Sequence, residues 1–392
     1  MPETLPAAPW TRRPDLAALV AALGPQNVRW VGGAVRDTLL GHAVNDVDAA
    51  TPLAPDAVID RLRDAGIRTV PTGIEHGTVT AILPEGNVEV TTLRRDVSTD
   101  GRRATVAFAS DWRDDAARRD FTINALYAAP DTREIFDWFG GLEDLAARRV
   151  RFIGEARERI REDHLRILRY FRFQARFGAT LDPEAEDACS ELAPTLKGLS
   201  RERVAAELLN LLSLPDPADT VARMHALGVL PVVLPEAGQH GIEALRRLIS
   251  AEREAGIARD PVRRLAALLP ALPAVAETVA SRLRLSKAQR ERIACAAART
   301  AADRENPRAL AYREGRECAL DRLLLAGADI SALEDWDVPV LPLKGGEIVA
   351  RGVAAGPDVA RILRAVEQKW IAEGFPPRDR VNRIVEEVLR AF

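Results

Sequence analysis

The strongest constraint on the fold is a change of sequence pattern near residue 153. Before this point, short runs such as NVRWVGG, TVTAIL and NVEVTTLR have the pattern of β-strands, and short helical patterns separate them. After it, strand patterns almost vanish, and segments such as RERVAAELLNLLS carry apolar residues at helical spacing between Pro and Gly. The sequence therefore predicts an α+β fold, with a mixed head of about 150 residues and a long helical body behind it.

In residues 31–51, VGGAVRDTLLGHAVNDVDAAT, a glycine pair precedes two aspartates. Gly32 and Gly33 at the end of a strand would let the backbone approach a phosphate, and the following helix would offer unpaired N–H groups to the same anion. Asp46 and Asp48 alternate on a strand, so both carboxylates project from one face and suit Mg²⁺. A plain turn followed by a polar strand end explains this stretch equally well by itself, and nucleotide-sugar transferases also use an Asp-x-Asp.

A third carboxylate lies in the run NVEVTTLR. Alternation puts Glu89 and Thr91 on one side of a predicted strand, and Val88 and Val90 on the other. Beside the two aspartates, Glu89 would complete a three-acid site that holds two metal ions, activates an attacking hydroxyl and stabilises a leaving phosphate. Without the aspartates, a solvent-facing strand residue is the simpler interpretation.

A dense polar cluster, ARRDFTINALY, occupies residues 117–127. Arg118 and Arg119 can hold triphosphate oxygens, because a guanidinium group binds phosphate in a bidentate manner. Asp120 and Asn124 can form hydrogen bonds with ribose hydroxyls. An apolar run follows this cluster directly, so surface decoration explains it poorly.

Four motifs follow one another along the chain: VGGAVRDTLLGHAVNDVDAAT, VEVTTLRRD, RRDFTINALY and REDHLRILRYFRFQARFG. In these motifs the chain resembles the class II tRNA nucleotidyltransferase and bacterial poly(A) polymerase family, and LSRERVAAELLNLL and LPLKGGEIVARGVAAGPDVARIL extend the resemblance. The resemblance implies a polymerase-β-like nucleotidyltransferase head at 1–152 and all-α domains behind it. These are a neck that recognises the nucleotide base at 153–235, a body at 236–335 and a tRNA-binding tail at 336–392.

The segment REDHLRILR permits a chemical test of base recognition. On one predicted helix, Glu162, Asp163 and Arg166 share a face. A carboxylate acceptor on Asp163 beside a guanidinium donor on Arg166 matches the amino group and ring nitrogen of cytosine and of adenine, whereas guanine and uracil present the reverse order. The pair predicts use of CTP and ATP, and the resemblance implies base recognition at the same positions. A surface ion-pair ladder is the alternative for an arbitrary helix.

Further polar residues are predicted to support the site. Arg36 and Asp37 either bind phosphate or pair with each other. Arg169, Arg172 and Arg176 recur on the predicted neck helix. They either contact nucleotide or RNA phosphate or form a solvated basic face.

Two other segments have predicted supporting roles. Glu202, Arg203 and Glu207 on a later helix are predicted to brace the base-recognition helix. The polar segment 94–111 is predicted to form a mobile loop. The resemblance implies that this loop is the family's flexible element, linked to the change from C to A addition, with the residues Asp96, Gly101, Arg102 and Arg103.

Composition and charge narrow the class of protein. At 392 residues, 47% hydrophobic and 29% charged, the chain has the composition of a globular protein. It contains no run of about 18 apolar residues, so no membrane span is predicted. The formal net charge of −3 neither requires nor excludes nucleic acid as a partner. No histidine precedes an aspartate, so an HD-type phosphohydrolase domain is not expected.

The cysteines Cys189, Cys295 and Cys318 are few and widely spaced. They predict neither a disulfide framework nor a zinc cluster. Together with an N-terminus that lacks a signal pattern, they favour a reducing cytoplasm. The sequence leaves the oligomeric state open.

These observations predict an enzyme that adds or repairs the 3′-terminal CCA of tRNA with CTP, ATP and Mg²⁺. Alternatives are a poly(A) polymerase, an enzyme that adds only CC or only A, a non-catalytic RNA-binding protein and a nucleotide-sugar transferase. The near-neutral charge argues against the first alternative, and the retention of all three acids argues against the RNA-binding protein. The predicted catalytic residues are Asp46, Asp48 and Glu89, and the two aspartates are the predicted metal ligands. The predicted nucleotide-binding residues are Gly32, Gly33, Arg36, Arg119, Asp120, Asn124, Asp163, Arg166 and Arg169.

Overall fold

The computed structural model describes residues 3–74, 77–99, 104–109, 111–178 and 180–392. The chain forms two compact units, Met1–Pro235 and Glu236–Phe392. The predicted division into head, neck, body and tail is finer than these two units and stays a prediction.

The described strands all lie in the first unit. They are β1 (Arg29–Val31), β2 (Val47–Thr51), β3 (Arg68–Gly73), β4 (Thr78–Ile82), β5 (Val88–Thr92), β6 (Arg94–Thr99), β7 (Ala104–Phe108), β8 (Tyr127–Ala128) and β9 (Ile135–Phe136). One sheet has the order β3-β4-β5-β2-β1-β8-β9, and β6 and β7 form a separate hairpin. Within the larger sheet, β2 and β5 are parallel and the other neighbours are antiparallel. The predicted α+β class, with a mixed sheet followed by helices, is confirmed.

The segment predicted as a loop, 94–111, contains this antiparallel hairpin instead. Val and Thr occur in both of its strands, and these β-branched residues favour extended structure in spite of the polar composition. The predicted flexible-element residues Gly101, Arg102 and Arg103 lie outside the described residues. Of Asp96, the structure describes the strand backbone.

The described helices of the first unit are α1 (Pro14–Leu23), α2 (Gly33–Leu39), α3 (Pro55–Asp64), α4 (Trp112–Ala117), α5 (Gly141–Ala146), α6 (Ala156–Glu162), α7 (Arg166–Phe177), α8 (Pro183–Leu192), α9 (Arg201–Leu212), α10 (Ala218–Ala226) and α11 (Val229–Val233). The sequence of α7, RILRYFRFQARF, is strongly amphipathic. It buries Ile167, Tyr170 and Phe171 at helical spacing. Arginines occupy most of its remaining positions, and α7 therefore presents a row of guanidinium groups beside an apolar stripe.

The prediction of a single helix across Glu162, Asp163 and Arg166 is wrong. The helix is interrupted here, since α6 ends at Glu162 and α7 begins at Arg166. Asp163 ends α6 in an extended conformation, with φ −148° and ψ 105°. Its Oδ1 accepts a hydrogen bond from the Leu165 N–H at 3.1 Å. A short side-chain acceptor of this kind competes with helical backbone bonds, which explains why the helical pattern does not continue through Asp163.

The second unit is helical throughout its regular structure. Its described helices are α12 (Gln239–Glu254), α13 (Pro261–Ala267), α14 (Pro273–Arg282), α15 (Lys287–Ala297), α16 (Pro307–Glu314), α17 (Arg316–Leu325), α18 (Gly345–Val349), α19 (Pro357–Ala372) and α20 (Arg378–Ala391). The last three helices enclose an apolar core around the buried Trp370. Across the described residues, none of the helices is long and apolar enough to cross a membrane.

The cysteine spacing predicts no disulfide framework, but the structure contains one disulfide. A disulfide joins Cys295 on α15 to Cys318 on α17, and their Cα atoms are 6.1 Å apart. Cys189 is free and buried. The packing of α15 on α17 brings the two thiols together. Their separation of 23 residues in the sequence gives no sign of this contact.

We expect Gly141→Ala to destabilise the first unit. A Cβ at this buried position would overlap the carbonyl oxygen of Thr122, which belongs to the backbone and cannot rotate away. The free energy of unfolding, measured in urea, should fall by about 1–3 kcal/mol, as for other overpacked sites. The control is Gly198→Ala, because a Cβ on Gly198 meets nothing within 4 Å. Equal stabilities of the two variants would contradict the prediction.

Candidate active site

Three carboxylates project from one face of the larger sheet. β2 runs parallel to β5 and pairs Asp48 with Glu89, so these two side chains lie on the same face. Asp46 precedes β2 by one residue and has the same parity as Asp48. The alternate residues Val47 and Ala49 are buried at 3% and 1% exposure, whereas the three acids are exposed. The strand alternation therefore gathers the acids on the side open to solvent.

The carboxyl group of Asp48 lies near both negatively and positively charged side chains. Desolvation, followed by the negative charges of Glu89 and Asp46, raises its pKa above the ordinary value. The guanidinium group of Arg119 acts in the opposite direction. Carboxylates that repel one another at a solvent-facing site favour a bound cation, which removes the repulsion.

Both predicted glycines lie beside arginine side chains. Gly32, between β1 and α2, has φ 69° and ψ −121°, a conformation that residues with a side chain rarely adopt. A Cβ on Gly32 would lie 3.5 Å from Nη1 of Arg119. A Cβ on Gly33, which begins α2, would lie 3.8 Å from Nη2 of Arg36. The glycine turn therefore lies next to two positive charges. Gly32 itself is buried, and its N–H donates to the Leu126 carbonyl at 3.2 Å.

Four predicted nucleotide-binding residues form one chain of hydrogen bonds. Nη1 of Arg36 donates to Oδ1 of Asn124 at 2.5 Å. Nδ2 of Asn124 donates to Oδ1 of Asp120 at 2.9 Å. Oδ2 of Asp120 accepts from Nε and Nη2 of Arg169 at 2.8 and 2.5 Å. This chain connects α2 to α7, which lies more than a hundred residues further along the sequence.

Asp120 is buried and its carboxylate is fully engaged. Burial alone would raise the pKa of this carboxyl, but Arg169, Asn124 and the Phe121 N–H outweigh it and lower the pKa to about 2. A ribose hydroxyl would have to share an oxygen that already accepts two bonds. The observed contacts of Asp120 are those of a group that holds segments together.

Arg36 and Asp37 pair with each other, which is one of their two predicted roles. Nε of Arg36 donates to Oδ1 of Asp37 at 2.9 Å. Oδ2 of Asp37 accepts from Nη2 of Arg176 at 2.9 Å. Both side chains of the pair are buried, and burial lowers the pKa of the Arg36 guanidinium against the effect of Asp37. The pair extends the contacts between α2 and α7.

The arginines of α7 all have acidic partners, so the solvated basic face is not what the structure shows. Nε of Arg172 donates to Oε2 of Glu207 at 2.6 Å. Nη1 of Arg169 lies 3.6 Å from Oε1 of the same glutamate. Arg176 binds Asp37, as described above. Glu207 on α9 thus braces α7, in keeping with its predicted supporting role.

Asp163 has one oxygen fixed by the backbone and one fixed by a side chain. Oδ1 accepts from the Leu165 N–H, and Oδ2 accepts from Nη2 of Arg203 at 2.9 Å. Arg203 lies on α9, among the residues predicted to brace the base-recognition segment. The side chain of Asp163 remains 29% exposed. Asp163 is therefore an oriented acceptor that a ligand can still reach.

Arg166 has most of its donors engaged. Nη1 donates to Oε2 of Glu162 at 2.6 Å and to the Arg159 carbonyl at 2.8 Å. Nη2 donates to the Arg118 carbonyl at 3.1 Å. Its side chain is 12% exposed. Of the predicted base-reading pair, the acceptor is accessible and the donor is occupied.

Two buried residues next to Arg119, Asp115 and Tyr127, were not predicted from the sequence. Asp115 accepts hydrogen bonds from the side chains of Arg118 and Arg119, and Tyr127 donates to the same carboxylate. The spacing of three and four residues between Asp115 and the two arginines is a helical ion-pair signal that was available in the sequence. The participation of Tyr127 has no such local signal, because it comes from β8.

We expect Asp120 to make folding stability sensitive to acid. Its pKa is about 2 in the folded protein, against about 3.9 in an unfolded chain. A lowered pKa stabilises the fold fully above about pH 4, and this stabilisation is lost as the pH falls toward about 2.

The free energy of unfolding should be measured against pH for the wild type and for Asp120→Asn. The variant is expected to lose about 1–3 kcal/mol at neutral pH, because Arg169 keeps a poorer partner. The stability of the variant should also decline less than that of the wild type as the pH falls below about 4. An unchanged pH dependence would contradict the stabilising role of the Asp120 carboxylate.

Two family models match parts of the chain. The Poly A polymerase head domain matches residues 28–151. The model described as "Probable RNA and SrmB- binding site of polymerase A" matches residues 178–239.

Individual relatives and a solved structure are also similar to the chain. The human CCA tRNA nucleotidyltransferase 1, mitochondrial, is 34% identical over 369 residues, which are 89% of this chain and 83% of that protein. A CCA-adding enzyme of Streptococcus pneumoniae is 45% identical over 188 residues, which are 47% of this chain and 46% of that enzyme. The crystal structure of the Bacillus stearothermophilus CCA-adding enzyme in complex with CTP has a TM-score of 0.76 at 28% identity, covering 96% of this chain and 98% of that one. The family resemblance of the motifs is thereby confirmed, and the chain belongs to the CCA tRNA nucleotidyltransferases, in the family that also contains the bacterial poly(A) polymerases.

Proposed function

We propose that this nucleotidyltransferase adds or repairs the 3′-terminal CCA of tRNA, using CTP and ATP without a nucleic-acid template and releasing pyrophosphate. The observation that carries the proposal is the set of acids Asp46, Asp48 and Glu89 on one open sheet face, with Arg119 and Gly32 beside it. Carboxylates next to an arginine and a glycine turn suit a nucleoside triphosphate with its cation.

The donor set fits Mg²⁺. Asp46 and Asp48 offer exposed, hard oxygen ligands. Desolvation, followed by repulsion from Glu89 and Asp46, raises the pKa of Asp48, and a divalent cation would remove the repulsion. We propose that these two aspartates hold the ion, with Glu89 as the third acid. The ion would supply charge neutralisation at the triphosphate and acidify the attacking 3′-hydroxyl.

The protein's own groups would bind and orient the nucleotide. Arg119 carries a positive charge next to the acids, where it can stabilise the negative charge that develops on the leaving pyrophosphate. Asp163 can accept a hydrogen bond from the amino group that cytosine and adenine share. Arg203 and the Leu165 N–H hold that acceptor in place before the nucleotide arrives.

A nucleotide base can accept a hydrogen bond from Arg166 only if Arg166 shares or gives up one of its present partners. Its donors bind Glu162 and two backbone carbonyls, so a hydrogen bond to the ring nitrogen requires one of these bonds to be given up or shared. Selection of C and A would then depend on Asp163 first, and on the ability of Arg166 to change partner second.

We keep the cytoplasmic location as a proposal only. The human relative carries a mitochondrial name. The disulfide between Cys295 and Cys318 also removes the support that cysteine usage gave to a reducing compartment.

The proposed activity predicts a defined series of products. On tRNA that ends before CCA, after C and after CC, we expect incorporation of CMP, CMP and AMP in turn, and no incorporation on tRNA that already ends in CCA. GTP and UTP should not be incorporated, because their edges reverse the donor and acceptor that Asp163 requires. Each labelled nucleotide is offered separately and the products are resolved at single-nucleotide length.

Other product patterns would identify the alternatives. Runs of AMP without CMP would indicate a poly(A) polymerase. CMP without AMP would indicate a CC-adding enzyme, and AMP alone on tRNA ending in CC would indicate an A-adding enzyme. Absence of any incorporation in the presence of Mg²⁺ would contradict the proposed function.

Replacing either metal ligand should abolish transfer without unfolding the protein. We expect Asp46→Asn and Asp48→Asn each to lower the rate of incorporation by at least about 10²-fold, the scale of removing one preorganised transition-state group. Removal of divalent cations with a chelator should abolish incorporation by the wild type, and Mg²⁺ should restore it.

Stability provides an independent measurement on the same variants. In the absence of divalent cations, Asp48→Asn should unfold at a higher temperature than the wild type, because it removes a charge that Glu89 and Asp46 repel. The control is Asp64→Asn on α3, a side chain that is 79% exposed and should change neither quantity. Normal incorporation by Asp48→Asn would show that the metal assignment is wrong.

A further inference from the structure

Asp115 is a buried acceptor at the centre of a five-donor cluster. It is 1% exposed on α4. Its Oδ1 accepts from Nε of Arg118 at 2.8 Å and from the Arg94 N–H at 3.1 Å, and lies 2.7 Å from Nη2 of Arg118. Its Oδ2 accepts from the hydroxyl of Tyr127 at 2.6 Å and from Nη2 of Arg119 at 3.2 Å.

Tyr127 closes the cluster from the side of the sheet. Its hydroxyl oxygen accepts from Nε of Arg119 at 2.9 Å while it donates to the carboxylate. The ring is fully buried, and Trp112 and Trp138 pack against it with centroids 6.1 and 5.5 Å away. Because the ring is locked, the hydroxyl is a fixed point that sets the direction of the Arg119 guanidinium.

The backbone carbonyl groups of Arg118 and Arg119 also accept hydrogen bonds. The Arg118 carbonyl accepts from Arg166 at 3.1 Å, and the Arg119 carbonyl accepts from Nη2 of Arg159 at 2.9 Å. With Nε and Nη2 of Arg119 held, Nη1 is the group that lies beside the turn at Gly32. Both ends of the Arg119 side chain are therefore fixed, and its remaining nitrogen is directed toward the proposed triphosphate site.

The charges of the cluster leave a net positive site. Burial alone would raise the pKa of Asp115, but Arg119, Arg118 and Tyr127 outweigh it and lower the pKa to about 2. One carboxylate thus neutralises one of two guanidinium groups and leaves about one positive charge near Asp48.

We propose that Asp115, together with Tyr127, is a positioning residue that directs Arg119 at the β and γ phosphates of the bound nucleotide. Long arginine side chains lose rotamer freedom when they bind a ligand, and a site that fixes them during folding avoids that loss on binding. Asp115 acts through Arg119 and does not touch the substrate. The positioning role rests on the proposed binding of CTP and ATP.

The test compares a nucleotide that has β and γ phosphates with one that lacks them. For Asp115→Asn in the presence of Mg²⁺, the Kd of CTP should rise about tenfold or more, as expected for losing one charge-assisted contact. The Kd of CMP should stay within about twofold, because CMP lacks the phosphates that Arg119 would hold. Both constants are measured by isothermal titration or by competition.

The matched control is Asp144→Asn. Asp144 is also fully buried, and it accepts from Thr122, Arg149 and Arg151 in the same unit. This variant should lose stability to a similar extent while keeping the wild-type ratio of the CTP and CMP constants. A change of that ratio in Asp115→Asn alone therefore separates positioning from general destabilisation.

Tyr127→Phe provides a second variant should Asp115→Asn fail to fold. It removes one donor to Asp115 and one acceptor of Arg119, and it keeps the buried ring. We expect a smaller shift in the same direction, confined to CTP. Unchanged CTP affinity in the folded variants, or equal weakening of CTP and CMP, would overturn the positioning role. A wild type that binds no CTP would instead reject the proposed function itself.

Discussion

The buried ion pair between Asp120 and Arg169 is the contact on which the arrangement of the first unit depends. A carboxylate removed from water must find its full complement of partners, and Asp120 finds them on α7 and in Asn124. The ring of Phe121 packs next to this pair against Phe173 of α7, with centroids 5.3 Å apart. Apolar rings on one side exclude water and strengthen the hydrogen bonds on the other. The segment 120–124 and helix α7 are therefore held in a fixed position relative to each other.

Other arginines near the site are also held by hydrogen bonds to groups of the protein. Arg36, Arg166 and Arg172 bind carboxylates or carbonyls within the fold. Arg119 differs, because two of its nitrogens are fixed and the third lies beside the glycine turn. Asp163 differs in the same way among the acids, being oriented but partly exposed. A nucleotide would thus meet groups whose directions are set before it binds, which lowers the entropic cost of binding.

The features that were predicted from the sequence depend on local periodicity. Alternation along one strand places Asp46 and Asp48 on one face, and the same rule places Glu89, because side chains of a strand alternate whatever the surroundings. The features that were missed do not follow from hydrophobic periodicity. The break at Asp163, the hairpin at 94–111 and the disulfide all result from local bonds or packing that hydrophobic patterns do not record.

The sequence by itself determined the α+β class, the family and the identity of the acids, because these follow from repeating patterns and from motifs of many residues. Only the tertiary structure decided which polar residues are free to meet a ligand. Asp120 and Arg169 have the residue types of ligand-binding groups, yet they bind each other across 49 residues of sequence. Hydrogen bonds of this kind depend on distance in space. The residue type alone does not show whether the donors and acceptors of a side chain already have partners within the fold.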